Sequence, residues 1–177
     1  MVTCDNRRVG DRTYWNKRNM RQMPSELIEL TGVSSYAKLF EHNRDPGSTK
    51  GVNGAKYDFP EATSVDLFVE PDQYDVLKEA FPSYRDDPHE QGMKVKFKRT
   101  WINEYNPDSG GCASIVDEND QPWEHSVPIG DGSVLTVYAE VYPSKAPLGY
   151  SMRMLGVKVV EHVPMAPPEA PKLPWQK

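Results

Sequence analysis

The chain has 177 residues, of which 37% are hydrophobic, 27% charged and 10% aromatic, and its formal net charge is −5. A mean hydropathy of −0.70 is too polar for a membrane protein, and no run approaches the roughly 18 apolar residues of a spanning helix. The Tyr and Trp content is too high for a wholly disordered chain. No apolar core follows the opening Met1-Val2-Thr3-Cys4-Asp5-Asn6-Arg7-Arg8, so no secretory signal is expected. Cys4 and Cys112 are the only cysteines, which predicts no disulfide framework and suits a reducing cytosol.

Charge is segregated along the chain. Between Asn6 and Ser25, Arg7, Arg8, Arg12, Lys17, Arg18 and Arg21 stand against the single acid Asp11, and Lys94, Lys96, Lys98 and Arg99 form a second basic cluster. No Lys or Arg occurs between Arg99 and Lys145, whereas Glu104, Asp108, Asp117, Glu118, Asp120, Glu124, Asp131 and Glu140 fall there. Association with a polyanion depends on the local patch more than on the sum, so an acidic chain with one basic strand can still hold phosphates. The plainer alternative is a solvated strand face.

Residues 1–32 show no clear period and read as a basic arm, closed by a short helix over 24–30, where Pro24 suits a helix start and Gly32 a stop. From Val33 the signals are those of strands. Residues 35–40 alternate, with Ala37 and Leu39 inward and Tyr36, Lys38 and Phe40 outward. Residues 42–54 read as a polar loop. Residues 64–70 put Val65, Leu67 and Val69 inward and Asp66, Phe68 and Glu70 outward. A short helix is predicted over 71–81, with Val76, Leu77, Ala80 and Phe81 as its stripe. A third strand over 93–102 separates Val95, Phe97 and Trp101 from Lys94, Lys96, Lys98 and Thr100. After a short apolar piece at 112–116 and a turn at 117–122, residues 133–142 bury Leu135, Val137, Ala139 and Val141 and turn Tyr138, Glu140 and Tyr142 outward. The last strand, 150–163, puts Leu155, Val157, Val159 and Val163 inside, and residues 164–177 form a proline-rich tail. Five or six strands with one short helix and no βαβ repetition predict a mainly β, mostly antiparallel barrel or sandwich, with the five-stranded OB barrel leading.

No constellation demands catalysis. His42, His89, His125 and His162 are scattered, no zinc spacing occurs, the acidic run 117–121 lacks the glycine and distal glutamate of a calcium loop, and Gly130-Asp131-Gly132-Ser133 lacks a P-loop ending. Neither metal nor cofactor is expected, and the reading is of a non-enzyme. Holding a single-stranded nucleic acid needs cations that track the backbone and flat rings on which bases stack. The third strand supplies Lys94, Lys96 and Lys98, with Arg99 and Trp101 close by. Tyr36, Lys38 and Phe40 on the first strand, and Tyr138 and Tyr142 on the strand 133–142, add rings and a further cation. The alternative is that these rings pack under loops, and Trp101 aligns with the core residues Val95 and Phe97.

The order of motifs resembles the OB-fold single-stranded DNA-binding proteins of tailed bacteriophages, in particular podoviruses and cyanophages. The resemblance is carried by Ser35-Tyr36-Ala37-Lys38-Leu39-Phe40, Lys56-Tyr57, Val65-Asp66-Leu67-Phe68-Val69, Lys96-Phe97-Lys98-Arg99 and Gly110-Gly111-Cys112-Ala113. It continues through Pro122-Trp123, Ile129-Gly130-Asp131-Gly132-Ser133-Val134 and Met154-Leu155-Gly156-Val157-Lys158-Val159. It implies a domain at 33–163 between the arm (1–32) and the tail (164–177). The implied role is to coat and protect single strands in phage DNA replication and recombination, in the cytoplasm of the infected cell. It places Lys96-Phe97-Lys98-Arg99 along the groove, the Gly130–Ser133 step beside it, and Arg153 on a phosphate. The tail departs from the family pattern: Glu169 is its only acid, with Lys172 and Lys177 beside Trp175, so recruitment of replication proteins would use a proline-rich docking mode instead. The arm is expected either to extend the DNA path or to pair with a neighbouring subunit as a homo-oligomer. A rival reading of another class is a virion or protein-interaction β-sandwich module without nucleic-acid binding, and a carboxylate-using nuclease is a third.

Overall fold

A computed structural model describes residues 25–52, 55–103, 106–145 and 148–165 of the chain. The basic segment 1–24 and the proline-rich segment from 166 onward, Trp175 included, lie outside the described residues. Among the described residues, nine strands and one α-helix follow in the order β1 (Glu26–Lys38), β2 (Ser48–Val52), β3 (Ala55–Phe59), β4 (Ala62–Val69), α1 (Pro71–Ala80), β5 (Pro88–His89), β6 (Gly92–Thr100), β7 (Ser114–Val116), β8 (Val134–Pro143) and β9 (Tyr150–Glu161). Seven of them form one sheet in the order β5-β6-β4-β1-β8-β9-β7, and β2 and β3 form a separate hairpin. All pairings in the large sheet are antiparallel except β7 with β9. The class is mainly β, as the strand periodicity requires, but the described sheet has more than five strands and does not close by a ladder into a barrel.

Two expectations are overturned early in the chain. Residues 26–30 are strand, not helix: β1 begins at Glu26 and pairs residue by residue with β8 from Glu26↔Val141 to Val33↔Val134. Ile28 and Leu30 are buried while Leu27 is 57% exposed, a period of two that outweighs the helix-start signal of Pro24. The segment read as a polar loop at 42–54 carries a short 3-10 turn (Glu41–Asn43) and then the β2–β3 hairpin. The helix expected at 71–81 is present over Pro71–Ala80 with proline at its start. It buries Leu77 and Ala80, with Phe81 just beyond its end; Tyr74, and not Val76, completes the buried stripe.

The core lies inside the curved sheet and is closed at one end by α1. Val65, Leu67 and Val69 of β4, Val95 and Phe97 of β6, and Leu135, Val137 and Ala139 of β8 are wholly buried, as their alternation predicts. Alternation fails in β9. Ala139 faces Met154 while Tyr138 faces Gly156, so Leu155 is an extra residue, a bulge that shifts which face the chain presents. Met154 therefore enters the core ahead of Val157 and Val159, Leu155 does not, and Val163 is 40% exposed.

Where β6 and β9 approach each other, the described residues show no backbone ladder, and Arg99 spans the gap. Its guanidinium donates to the carbonyls of Met154 on β9 (3.1 Å) and Gly110 (3.0 Å), and more weakly to Asp108 (3.4 Å). Arg99 is 9% exposed, and burial, with Arg153 nearby, pushes its pKa down to about 10, which leaves it charged at neutral pH. Arg99 is thus a strut of the fold. Changing Arg99→Met strands buried carbonyls, and the urea midpoint should fall by an amount worth roughly 2–4 kcal/mol; an unchanged midpoint would remove the strut role.

Candidate nucleic-acid interface

Three adjacent strands, β6, β4 and β1, bring the exposed cations to one face. Residues paired directly across antiparallel strands share a face. Lys98 pairs with Ser64, and Ser64 with Lys38; Lys96 pairs with Asp66, and Asp66 with Ser35; Lys94 pairs with Phe68, and Phe68 with Val33. Because Val65, Leu67 and Val69 are held inside, the residues between them, and the lysines opposite them, must stand outside. Lys38 and Lys98 are two strands apart, about 10 Å.

Tyr36 lies on β1 between Ser35 and Lys38 of that face. Between Ser35 and Lys38, β1 advances three residues while β4 advances two, so an extra residue is accommodated there and Tyr36 takes a left-handed φ of 51°. That conformation costs a side-chain-bearing residue about 1–2 kcal/mol. The Tyr36 amide donates to Oδ1 of Asp131 at 2.8 Å, which holds the bulge, and leaves the residue 71% exposed. Asp131 belongs to the Gly130–Ser133 step. In that step the Gly132 amide (φ 93°) donates to the Ser34 carbonyl and the Gly130 amide to that of Val163. A Cβ on Gly130 would lie 2.6 Å from the Pro164 carbonyl oxygen, so only glycine permits this approach. The step read from sequence as flanking the groove is therefore the brace that presents Tyr36.

Lys94, Lys96 and Lys98 line a cavity of about 520 Å³ together with Phe81, Tyr84, Arg85, Leu148 and Met152. Lys98 also borders a second hollow, of about 340 Å³, against Phe59 and the turn at Gly47. The two form a trough along β6 from the β8–β9 connection to the β2–β3 hairpin. Sequence reasoning missed Tyr84, Arg85, Leu148, Met152 and Phe59. Of these, only the aromatic and basic pair Tyr84-Arg85 beside the lysine strand gave a signal, and it was hidden in a turn-rich stretch.

The other expected contacts lie elsewhere. Phe40, read as outward, is 1% exposed, because β1 ends at Lys38 and the chain turns into the Glu41–Asn43 3-10 turn, where the ring packs against His42 and His125 at 5.5 and 5.2 Å. Trp101 is 4% exposed, under the Arg44 guanidinium at 4.5 Å, and Arg99 is the strut described above. Tyr138 pairs with Glu29 of β1, seven residues or about 23 Å along the strand from Tyr36. Tyr142 lies beside Arg153 (6.0 Å), which is itself paired with Glu140. Arg153 and Met152 point to opposite faces of β9, so the structure does not join Tyr138, Tyr142 and Arg153 to the lysine trough.

The trough's cations differ in what holds them. Lys38 donates to Asp45 at 2.6 Å, and Lys94 lies 3.4 Å from Asp87, which also bonds His89. Among the described residues, neither Lys96 nor Lys98 has a carboxylate within ion-pair distance. The Tyr84 hydroxyl accepts the Lys96 amide at 3.1 Å, and burial raises its pKa.

No protein-family model matches the sequence, and no curated protein matches it. Solved structures do. The single-stranded DNA binding protein gp2.5 encoded by bacteriophage T7 shares the fold at 19% identity and a TM-score of 0.54, over 82% of this chain and 92% of that one. The single-stranded DNA-binding protein from bacteriophage Enc34 aligns at 11% identity and a TM-score of 0.48, over 81% and 86% of the two chains. The phage resemblance drawn from sequence is thus met by a shared fold.

The hydrogen bond from Lys38, ahead of its charge and the bond from Ser64, holds the Asp45 carboxyl below its ordinary value of 3.8 despite some burial. A depressed carboxyl stabilises the fold fully above the unfolded-state pKa and loses that contribution as pH falls through the folded value. The stability gap between the wild-type protein and Asp45→Asn should therefore be widest at neutral pH and shrink below about pH 3.8, as read from urea unfolding at pH 7 and pH 3. A gap independent of pH would show that the pair contributes nothing.

Proposed function

We propose that this protein binds single-stranded DNA with little sequence preference, in phage DNA replication and recombination within the infected cell. The observation that carries the reading is the alignment of Lys94, Lys96, Lys98 and Lys38 on one outer face of β6, β4 and β1, with the exposed Tyr36 two residues from Lys38 on β1. Cations that track a backbone and a ring on which a base stacks are what an unpaired strand requires. The fold shared with the T7 single-stranded DNA binding protein supports it.

In this reading β1, β4, β6, β8 and β9 are the five strands of an OB barrel left open between β6 and β9. The β2–β3 hairpin then occupies the connection between the first two strands and residues 144–149 that between the last two. OB folds bind oligonucleotides on the face between those two connections, where the trough lies. Binding rests on Tyr36, Lys38, Lys94, Lys96 and Lys98, with no chemistry, metal or nucleotide cofactor. The domain begins at Glu26, inside the segment read as an arm, and the proline-rich segment with Trp175 is the proposed contact for replication proteins.

Titration of the full chain with an oligodeoxynucleotide should quench tyrosine and tryptophan emission, with log affinity falling linearly against log salt. Each phosphate contact on a single strand contributes about 0.7 to that slope. Changing Lys96 and Lys98 together to Ala should therefore flatten it by about 1.4. No binding at low salt would sink the reading in favour of a protein-interaction module, and an unchanged slope in the double variant would show that β6 is only a solvated face.

A further inference from the structure

Resting on that reading, we propose that the larger cavity of the trough is a subsite for one unstacked nucleobase of the bound strand. Its walls are apolar and come from two separate parts of the chain: Phe81 and Tyr84 after α1, and Leu148 and Met152 at the β8–β9 hairpin. The walls are tied to each other. The Ser83 hydroxyl donates to the Leu148 carbonyl at 2.5 Å, and Phe81 contacts the rings of both Tyr84 (5.4 Å) and Tyr150 (5.5 Å). Lys78 donates to the Tyr84 carbonyl at 2.8 Å, and the Lys96 amide fixes the Tyr84 hydroxyl. The cavity is therefore preformed, and about 520 Å³ lies within the usual range for a ligand pocket.

Charge orients the occupant. Lys96 and Lys98 line the cavity without a carboxylate partner among the described residues, whereas Asp87, which also lines it, is already paired with Lys94 at 3.4 Å. A phosphodiester is drawn to these two lysines and repelled by Asp86 and Asp87, which directs the attached base toward Tyr84 and Met152. A peptide side chain could fill the same apolar space, but the lysine pair complements a strand that carries a phosphate beside every ring. The subsite is distinct from Tyr36, which lies two strands away and presents an open ring instead of a slot.

The test uses the full chain and a short deoxyribose-phosphate oligomer without bases, compared with the same oligomer carrying one 2-aminopurine. The wild-type protein should bind the one-base oligomer about 5- to 100-fold more tightly and alter its emission. Leu148→Ser opens one wall at a partly exposed hairpin position, and it should abolish the gain while leaving affinity for the base-free oligomer and its salt slope intact. That retained affinity also reports that the variant folds. Tyr36→Ala should keep the gain. A gain absent from the wild type, retained by Leu148→Ser or lost only in Tyr36→Ala overturns the subsite while leaving strand binding standing. Failure of the wild type to bind any oligonucleotide, normal ones included, overturns both.

Discussion

The register of β4 between β1 and β6 is the constraint on which both core and site depend. Val65, Leu67 and Val69 are wholly buried, and a slip of one residue would expose all three while driving Ser64, Asp66 and Phe68 inward. Burial of three such side chains is worth on the order of 1.5–3 kcal/mol each, so the register is firmly set. Once it is set, the partners follow: Lys94, Lys96 and Lys98 on one side and Ser35 and Lys38 on the other have only the outer face left to them. The trough is in this sense a by-product of hydrophobic burial, and its cations need no interaction of their own to be aligned.

Regular alternation would bury or misdirect some of the most useful groups, and the exceptions fall where the site needs them. The Tyr36 bulge turns a residue that would otherwise alternate with the core into the most exposed large hydrophobic side chain of the described chain. Its backbone strain is offset by a charge-assisted bond from its own amide to the Asp131 carboxylate, held in the glycine-bearing turn that leads into β8. The Leu155 bulge re-aims β9 so that Met152 and Met154 face inward at the end nearest β6. The carbonyl of Met154 is then bound by Arg99. One bulge presents a ring, and the other completes the seam and one wall of the cavity.

Legibility tracked period. Where a strand buries one face, as in residues 64–70, 93–101 and 133–142, alternation alone assigned inward and outward residues, and the three lysines of β6 were readable as an exposed row. It failed where the pattern depends on a partner. Leu27-Ile28-Glu29-Leu30 is compatible with either a helical or a strand period, and only the ladder to β8 decides between them. Leu155 departs from the parity of Val157 and Val159 because it is itself the extra residue of a bulge, and Phe40 departs from that of Lys38 because β1 ends there and the chain turns into the Glu41–Asn43 3-10 turn. Tyr84, Leu148 and Met152 meet through tertiary packing across more than sixty positions of chain, and no spacing rule reaches that far. Arg99 looked like a phosphate ligand because Arg beside three lysines reads as one patch, although strand alternation turns its side chain away from theirs.

Alternation also resolves the apparent conflict between a net charge of −5 and the polyanionic ligand proposed above. Exposed charges separated by more than about 8–10 Å are largely screened at physiological salt, so a phosphate on β6 senses its immediate neighbours and not the acidic segment between Arg99 and Lys145. Among those neighbours, Lys38 is matched by Asp45 and Lys94 by Asp87. A phosphate that replaces either carboxylate exchanges one ion pair for another and gains little. Lys96 and Lys98 have no such partner among the described residues, so a phosphate there releases counterions without displacing a side chain. Affinity should then concentrate on the middle of the trough, flanked by cations that are already satisfied. That arrangement suits the proposed role, in which a strand must be held and also let go.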